Sequence, residues 1–226
     1  PISSYTISGS TIVFAAALTT DDSIDFITVL GDVLDLGVPS DGVVGNTQLA
    51  DAVKVGKQTI WIPAQAMAPT ASNGSSTLQT VETTSGRPDM NVLDFDKDSD
   101  EHAQFSVAFP KSWNAGTVTF QFFWSGLAAT TGVSMGLQGV AFADNDSIDT
   151  AYGTAVVVDD DAQGAVEELL VSAESGAVTI AGSPGDDELC YFRIFRDVSD
   201  SNDDMAGDCR LHGVKLFFTV DAYNDA

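Results

Sequence analysis

The segment at residues 94–101 reads DFDKDSDE and carries the residue types that bind calcium. Five of its side chains are acidic: Asp94, Asp96, Asp98, Asp100 and Glu101. A calcium loop of the helix–loop–helix type needs Gly at its sixth position and Glu at its twelfth. Counting from either Asp94 or Asp96 does not place these residues there. We therefore predict a solvated turn with no bound metal; the alternative is a weak cation site where two Asp-rich turns meet.

The sequence contains no recognisable catalytic motif. It lacks the GxSxG, HExxH and glycine-rich phosphate-loop patterns. Its two histidines, His102 and His212, fall in segments with strand character, where each is expected to be a polar-face or satisfied buried residue. We predict that the protein is not an enzyme, with no catalytic residues and no cofactors.

The PKSWNAG segment at residues 110–116 is the best candidate for a binding turn. Trp113 would stack on a sugar ring while Asn114 and Lys111 supply hydrogen bonds, which combines the apolar face and the polar partners that carbohydrate sites need. Binding residues also concentrate on loops carried by a rigid scaffold. The alternative, favoured by the usual behaviour of a Trp at a strand edge, is that Trp113 folds inward and caps the core.

The charge balance excludes two classes of partner. The 226 residues include 33 acidic and 9 basic ones, a formal net charge of −24 at pH 7. Nucleic acids and anionic membrane surfaces both attract clustered Lys and Arg, so we expect neither as a partner. No apolar run approaches the ~18 residues that a membrane-spanning helix needs, so no membrane insertion is expected. The sequence begins PISSYTISGS, without an initiating Met or a signal-peptide pattern, and we expect it to belong to a longer chain.

Apolar residues recur with a period of two rather than 3.6, which is typical of strands. The segments with this pattern are 11–14, 23–30, 58–63, 102–109, 116–126, 134–143, 154–158, 177–180, 188–198 and 210–220. We expect the first two to pair as a hairpin. Many strands separated by Gly, Asp, Asn and Ser turns indicate a sandwich or a barrel. We predict an all-β protein in which residues 57–226 form one antiparallel β-sandwich.

The alternation also assigns an inward face to two strands. Each strand turns four apolar residues to one side: Val118, Phe120, Phe122 and Trp124 in one, and Val214, Leu216, Phe218 and Val220 in the other. Phe123, Phe217 and Phe192 fall on nominally polar faces. We therefore expect those faces to be covered by a second sheet, a partner subunit or long loops.

The two cysteines are expected to be buried thiols. If residues 188–197 and 209–220 form a hairpin around the loop 198–208, Cys190 faces about Leu216 rather than Cys209. A disulfide then requires a different strand arrangement. The simpler interpretation is two free cysteines in the core.

Two parts of the sequence resemble bacteriophage proteins. Residues 5–50, YTISGSTIVFAAALTTDDSIDFITVLGDVLDLGVPSDGVVGNTQLA, resemble the small β unit of phage fibres, and the segment DGVVGNTQLAD at 41–51 is similar to one copy of a short stalk repeat. Residues 57–226 resemble a C-terminal module of phage, prophage and gene-transfer-agent virion proteins. This second similarity lies in segments such as KQTIWIPAQAM, FPKSWNAGTVTFQFFW and YFRIFRDVSDSNDDMAGDCRLHGVKLFFTVDAYNDA.

The resemblance implies a jelly-roll-like tip, often trimeric, that faces outward from a virus particle. It divides the chain into a small N-terminal β unit (1–36), a connector or stalk-like segment (37–56) and a jelly-roll-like C-terminal domain (57–226). The expected function is that of a non-enzymatic fibre or spike on the virion surface, attached to head or tail, that contacts host polysaccharide. Expected partners are the other copies in a homotrimer, other virion proteins and the host glycan. Two alternatives are a capsid decoration or cement protein and a polysaccharide-cleaving tip.

Overall fold

A computed structural model describes residues 5–8, 11–17, 19–21, 55–127, 129–166, 168–222 and 225. The chain divides into two compact units, residues 1–48 and 49–226. In the described part of the first unit, strand β1 (Tyr5–Ser8) pairs antiparallel with β2 (Thr11–Phe14). The predicted partner of Thr11–Phe14 was residues 23–30, and this segment lies outside the described residues. The predicted connector, 37–56, also lies outside them except for its last two residues.

Strands are the main regular elements in the described part of the second unit. They are β3 (Gly56–Pro63), β4 (Ala68–Pro69), β5 (Gln79–Glu82), β6 (Asp89–Phe95), β7 (His102–Ala108), β8 (Thr119–Ser125), β9 (Gly132–Phe142), β10 (Val156–Asp161), β11 (Leu170–Val171), β12 (Ile180–Ala181), β13 (Leu189–Arg196) and β14 (Cys209–Val220). A single 3-10 turn, Ala64–Ala66, follows β3. Across the described residues, no helix has the length and apolar character needed to cross a membrane.

The strands of the second unit form two sheets. The β14 sheet has the order β11-β8-β14-β6-β5, and β3 pairs with β14 beside β6. The β9 sheet has the order β10-β9-β13-β7-β4, and β12 pairs with β9. Every pairing is antiparallel except that of β12 with β9. The predicted fold class, an all-β antiparallel sandwich of jelly-roll-like form with a small N-terminal β unit, is therefore confirmed.

The core lies between the inner faces of the two sheets. The inward residues predicted for β8 and β14 are all buried, as is Val118 just before β8. Phe192 is also fully buried, on the same face of β13 as Cys190 and Ile194. Its assignment to a polar face was therefore wrong: Phe192 is a core residue, whose ring stacks on Phe105 with centroids 5.3 Å apart.

The hairpin considered for residues 188–197 and 209–220 does not form. β13 pairs with β7 and β9, whereas β14 belongs to the other sheet. Cys190 consequently lies opposite Val107 and Ala141 rather than Leu216. Both Cys190 and Cys209 are free and buried, as the sequence predicted. Burial raises the pKa of both thiols to about 12, so neither is a reactive thiolate at neutral pH.

A buried ion pair fastens the loop that carries the chain from one sheet to the other. The guanidinium of Arg196 donates two hydrogen bonds to Asp203, from Nε to Oδ2 at 2.9 Å and from Nη2 to Oδ1 at 2.7 Å. It also donates to the carbonyl oxygens of Met205 and Gly207. Asp203 in turn accepts from the Ser134 amide at 3.0 Å. The loop 197–208 is therefore anchored to β9 and β13 by charge-assisted hydrogen bonds.

The change Asp203→Asn leaves the Arg196 guanidinium buried without its counter-ion. The two side chains are 2% and 0% exposed, and removing one partner of such a pair costs about 3–5 kcal/mol of the free energy of unfolding. We expect a loss of this order in urea-induced unfolding followed by tryptophan fluorescence. Asp98→Asn is the matched control, because the Asp98 side chain is 75% exposed in its pair with Lys97 and surface pairs contribute little. An unchanged unfolding midpoint for Asp203→Asn would contradict this role for the pair.

Candidate functional site

The outer face of the β14 sheet exposes a tryptophan. Trp61 lies in β3, between Ile60, which packs against the core, and Ile62, which is buried. Because successive side chains of a strand point to opposite faces, Trp61 projects outward. Its side chain is 47% exposed. This residue, rather than Trp113, is the exposed tryptophan of the sandwich.

Side chains from three strands form rows across this outer face. From β3 through β14 to β8 the rows are Pro63–Gly213–Phe123, Trp61–Lys215–Gln121 and Thr59–Phe217–Thr119. Paired residues on one face lie within contact distance, so each row is a set of neighbouring groups. The middle row places a lysine between a tryptophan and a glutamine.

The glycine at position 213 creates the space that Trp61 occupies. A Cβ atom at Gly213 would lie 2.6 Å from Cη2 of Trp61 and 2.7 Å from the carbonyl oxygen of Ile62. In the absence of that atom, the indole leans across β14. It meets the Phe123 ring edge-on, with centroids 4.9 Å apart and planes at 79°. Such edge-to-face contacts stabilise aromatic pairs and fix their orientation.

A groove of about 220 Å³ opens beside this aromatic pair. Its lining consists of Trp61, Val81, Thr83, Met90, Phe123, Ser125, Leu169, Arg210 and His212. His212 Nε2 lies 3.0 Å from Ser125 Oγ, and Arg210 donates from Nε to Asp94 Oδ1 at 3.2 Å. The groove therefore offers apolar ring faces beside a small set of oriented polar groups, the combination found in ligand sites.

A bridge of charged side chains covers Phe217, next to the groove. Lys57 forms an ion pair with Glu174, and the Thr119 hydroxyl donates to the same carboxylate. These hydrogen bonds with Lys57 and Thr119 lower the pKa of Glu174. The Lys57 ammonium lies 5.3 Å from the centroid of the Phe217 ring. Phe217 is thus covered in part by Lys57 of β3 and by Glu174, which follows β11, whereas the sequence led us to expect a second sheet, a partner subunit or long loops.

The outer face of the β9 sheet carries a second aromatic group. Tyr152, Tyr191 and Phe142 surround a depression of about 290 Å³. The Arg193 guanidinium lies over the Tyr152 ring and donates from Nε to Gln138 Oε1 at 2.8 Å. The cation of this surface is therefore already engaged by its neighbours.

The structure corrects the sugar-stacking role predicted for Trp113. This residue is 3% exposed, and its ring stacks on Phe109 with centroids 4.2 Å apart. Its indole therefore has no free face for a sugar ring. The side chain folds inward and caps the core, which was the alternative interpretation. Lys111 and Asn114 are exposed on the same turn, and their participation in binding remains a prediction.

The acidic segment DFDKDSDE is divided between a strand and a turn. Asp94 belongs to β6 and pairs with Arg210, so it is not part of the predicted turn. In the turn itself, Glu101 accepts from the Asp96 amide at 2.8 Å and Asp100 accepts from the Val198 amide at 3.0 Å. Within the described ranges, no group of three or more His, Cys, Asp or Glu side chains is arranged to hold a metal ion.

No protein-family model matches the sequence, and a search of curated proteins finds no match. Among solved structures, the chain is similar to a carbohydrate-binding module specific for non-crystalline cellulose, at 14% identity over 72% of this chain and 88% of that one, with a TM-score of 0.36. It is also similar to a xylan-binding domain from Paenibacillus barcinonensis, at 12% identity over 70% and 97%, with a TM-score of 0.39. A family 11 carbohydrate-binding module from Clostridium thermocellum matches at 9% identity over 78% and 95%, with a TM-score of 0.35. Because these TM-scores are below 0.5, the strand pairing of the chain itself defines its fold.

His212 makes the stability of the protein depend on pH. Burial lowers the pKa of its imidazole, Arg210 lowers it further and Asp94 partly opposes the change. The unfolded chain, with an imidazole pKa of about 6.5, then binds the proton more readily than the folded chain. The neutral imidazole of His212 therefore contributes its full stabilisation of the fold above about pH 6.5. This contribution is lost as the pH falls through the lower pKa that His212 has in the folded chain.

We expect the His212→Gln variant to lose less free energy of unfolding than the wild type when the pH is lowered from 7.5 to 5. Identical losses in urea titrations of the two proteins would contradict this.

Proposed function

We propose that the β-sandwich is a non-enzymatic carbohydrate-binding module of a virion surface protein, and that the outer face of the β14 sheet binds host-surface polysaccharide. The observation that carries the proposal is the exposed Trp61–Phe123 pair beside a groove containing His212, Ser125 and Arg210. A pyranose ring presents an apolar face of C–H groups and an edge of hydroxyl groups. An aromatic surface with polar groups at its border complements both.

The dimensions of the groove favour a polymer over a small enclosed ligand. Pockets that surround drug-sized molecules measure about 300–1,000 Å³, whereas this groove measures about 220 Å³. It receives a segment of a ligand that continues beyond it. The groove also lies on regular strands, which hold their side chains more firmly than a loop does.

The resemblance to phage fibre and virion proteins supports the placement of this module on a virus particle. A β-rich unit without long helices suits a rigid appendage, and the net charge of −24 disfavours aggregation of particles. The same resemblance supports a homotrimer with residues 31–57 at the contact, and attachment to other virion proteins of the head or tail.

The assembly is testable by mass. We expect multi-angle light scattering at micromolar concentration to return three times the chain mass of 23.6 kDa, because stalk-like segments of fibres associate around an axis of symmetry. A truncated chain that begins at residue 56 is the informative variant, since it lacks residues 31–55 of the predicted contact and retains all twelve strands of the sandwich. A monomeric full chain would contradict the trimer.

The binding face is testable by the change Trp61→Ala. We expect the wild type to be retarded in native gels that contain a polysaccharide from a panel of neutral and acidic polymers. Loss of a central tryptophan typically costs about 2 kcal/mol or more, so Trp61→Ala should weaken binding roughly thirtyfold. The melting temperature should fall by less than the loss of a fully buried tryptophan would cause, because Trp61 is 47% exposed.

Ile148→Ala is the matched control for Trp61→Ala. Ile148 is an apolar residue that is 85% exposed, and it borders the aromatic depression on the β9 sheet. The Ile148→Ala variant should bind the polysaccharide as the wild type does. Loss of binding in Ile148→Ala but not in Trp61→Ala would transfer the site to the β9 sheet. Failure of every polysaccharide to retard the wild type would contradict the proposed function.

One observation favours a structural role as the second candidate. Met90 in β6, Leu169 just before β11 and Val171 in β11 are exposed apolar residues, and the first two line the groove. Contiguous apolar surface is typical of protein interfaces. A decoration or cement protein would bury these residues against other virion subunits. In that case Trp61→Ala would weaken incorporation into particles and leave glycan binding absent in both proteins.

A further inference from the structure

We infer that the polysaccharide bound by the β14 sheet is anionic, and that Lys215 binds its negatively charged groups. This inference rests on the proposed function, because it names the class of glycan that the same face selects. The observation behind it is an ammonium group that lies beside the aromatic pair and has no carboxylate partner among the described residues.

The position of the Lys215 ammonium is fixed by two aromatic rings. Its Nζ lies 5.5 Å from the centroid of Phe123 and 5.9 Å from that of Phe217. Both distances are within the range of cation–π attraction. An ammonium group has three donors, and no oxygen atom in the described residues accepts a hydrogen bond from this one. The group thus lies near both rings and donates no hydrogen bond to an oxygen atom of the described residues.

The other cations on this face are neutralised by the protein. Lys57 pairs with Glu174, and Arg210 pairs with Asp94. The pKa of His212 is lowered, so its imidazole is neutral at neutral pH. Lys215 is different because its paired neighbours on the two sides are Trp61 and Gln121. Neither of them carries a charge.

Among the described residues, Arg87, Lys111 and Arg193 also lack a carboxylate partner, but Lys215 alone of these lies beside the Phe123 and Phe217 rings. There are 33 acidic residues and only 9 basic ones, so a carboxylate is the most available partner for any lysine. Interfaces place charges so that they meet opposite charges on the partner. An unneutralised ammonium in the centre of a binding face therefore matches a ligand that carries the missing negative charge.

Lys215 is also in the right place to contact such a ligand. It lies over Phe123, and the same ring packs against Trp61 at the groove. A sugar ring stacked on the Trp61–Phe123 pair would present its substituents to the ammonium. A carboxylate of a uronic acid residue or a sulfate ester would then form a charge-assisted hydrogen bond.

The test compares three probes: polygalacturonate, which carries carboxylates, dextran sulfate, which carries sulfates, and neutral mixed-linkage β-glucan. Each is measured by affinity electrophoresis with the wild type, Lys215→Gln, Lys215→Arg and Trp61→Ala. We expect Lys215→Gln to weaken binding of an acidic probe roughly tenfold, since a hydrogen bond to a charged group is lost. Lys215→Arg should retain most of the binding, because it keeps the charge. The two acidic probes distinguish carboxylate from sulfate as the group recognised.

The outcomes separate this inference from the proposed function. Acidic binding that is equal in Lys215→Gln and the wild type would overturn the inference. Wild-type binding to the β-glucan alone, lost in Trp61→Ala, would also overturn it and would leave the proposed function intact. Binding of no probe would overturn both. Melting temperatures of the Lys215 variants, which we expect within a few degrees of the wild type, exclude misfolding as the cause.

Discussion

The pairing register of β14 determines both the core and the proposed binding face. This strand of 12 residues pairs with β3, β6 and β8, and a slip of one residue would exchange its inner and outer side chains. A bulge interrupts the pairing between Leu211 and Gly213. Leu211 and Val214 are both buried on the inner face, so the bulge leaves His212 and Gly213 on the outer side. It therefore delivers a polar side chain to the groove and, beside it, the empty position that Trp61 fills.

Alternation in the sequence predicted the inner faces correctly but did not identify the binding face. Val118, Phe120 and Phe122 were assigned inward and are buried. The segment QTIWIP places Trp61 between two isoleucines that point inward, so its outward direction could be predicted. Its exposure could not, because that requires the outer face of the sheet to be uncovered. Whether a sheet face is covered depends on how the sheets are arranged, and the residue pattern of a single strand does not reveal that arrangement. Trp113 was chosen as the binding candidate because of the composition of its turn. Whether an indole in such a turn is buried depends instead on how it packs against the neighbouring core.

Connections between the sheets were the least predictable part of the fold. β13 and β14 follow each other in sequence, and consecutive antiparallel strands commonly pair, but here they lie in different sheets. The crossing is fixed by the buried pair of Arg196 and Asp203, which looks in the sequence like two ordinary surface charges. Strand β6 was overlooked because both Val92 and Leu93 are buried, which removes the alternation. In β6, therefore, the burial of consecutive residues removes the period-two signal on which the prediction of strands relied.

The contrast between the whole chain and its binding face suggests how an acidic protein can select an anionic polymer. At physiological ionic strength the field of distant charges is screened beyond about 8 Å, so a net charge of −24 acts mainly on the approach of a polyanion. Lys215, held against Phe123 and Phe217, acts at contact, where screening is weak. A polyanion without a group that stacks on the aromatic pair would gain only the contact with Lys215 against the repulsion of the whole chain. A polymer with both a stacking ring and a charge gains two contacts on one face, so specificity arises from repulsion of the wrong partners as much as from attraction of the right one.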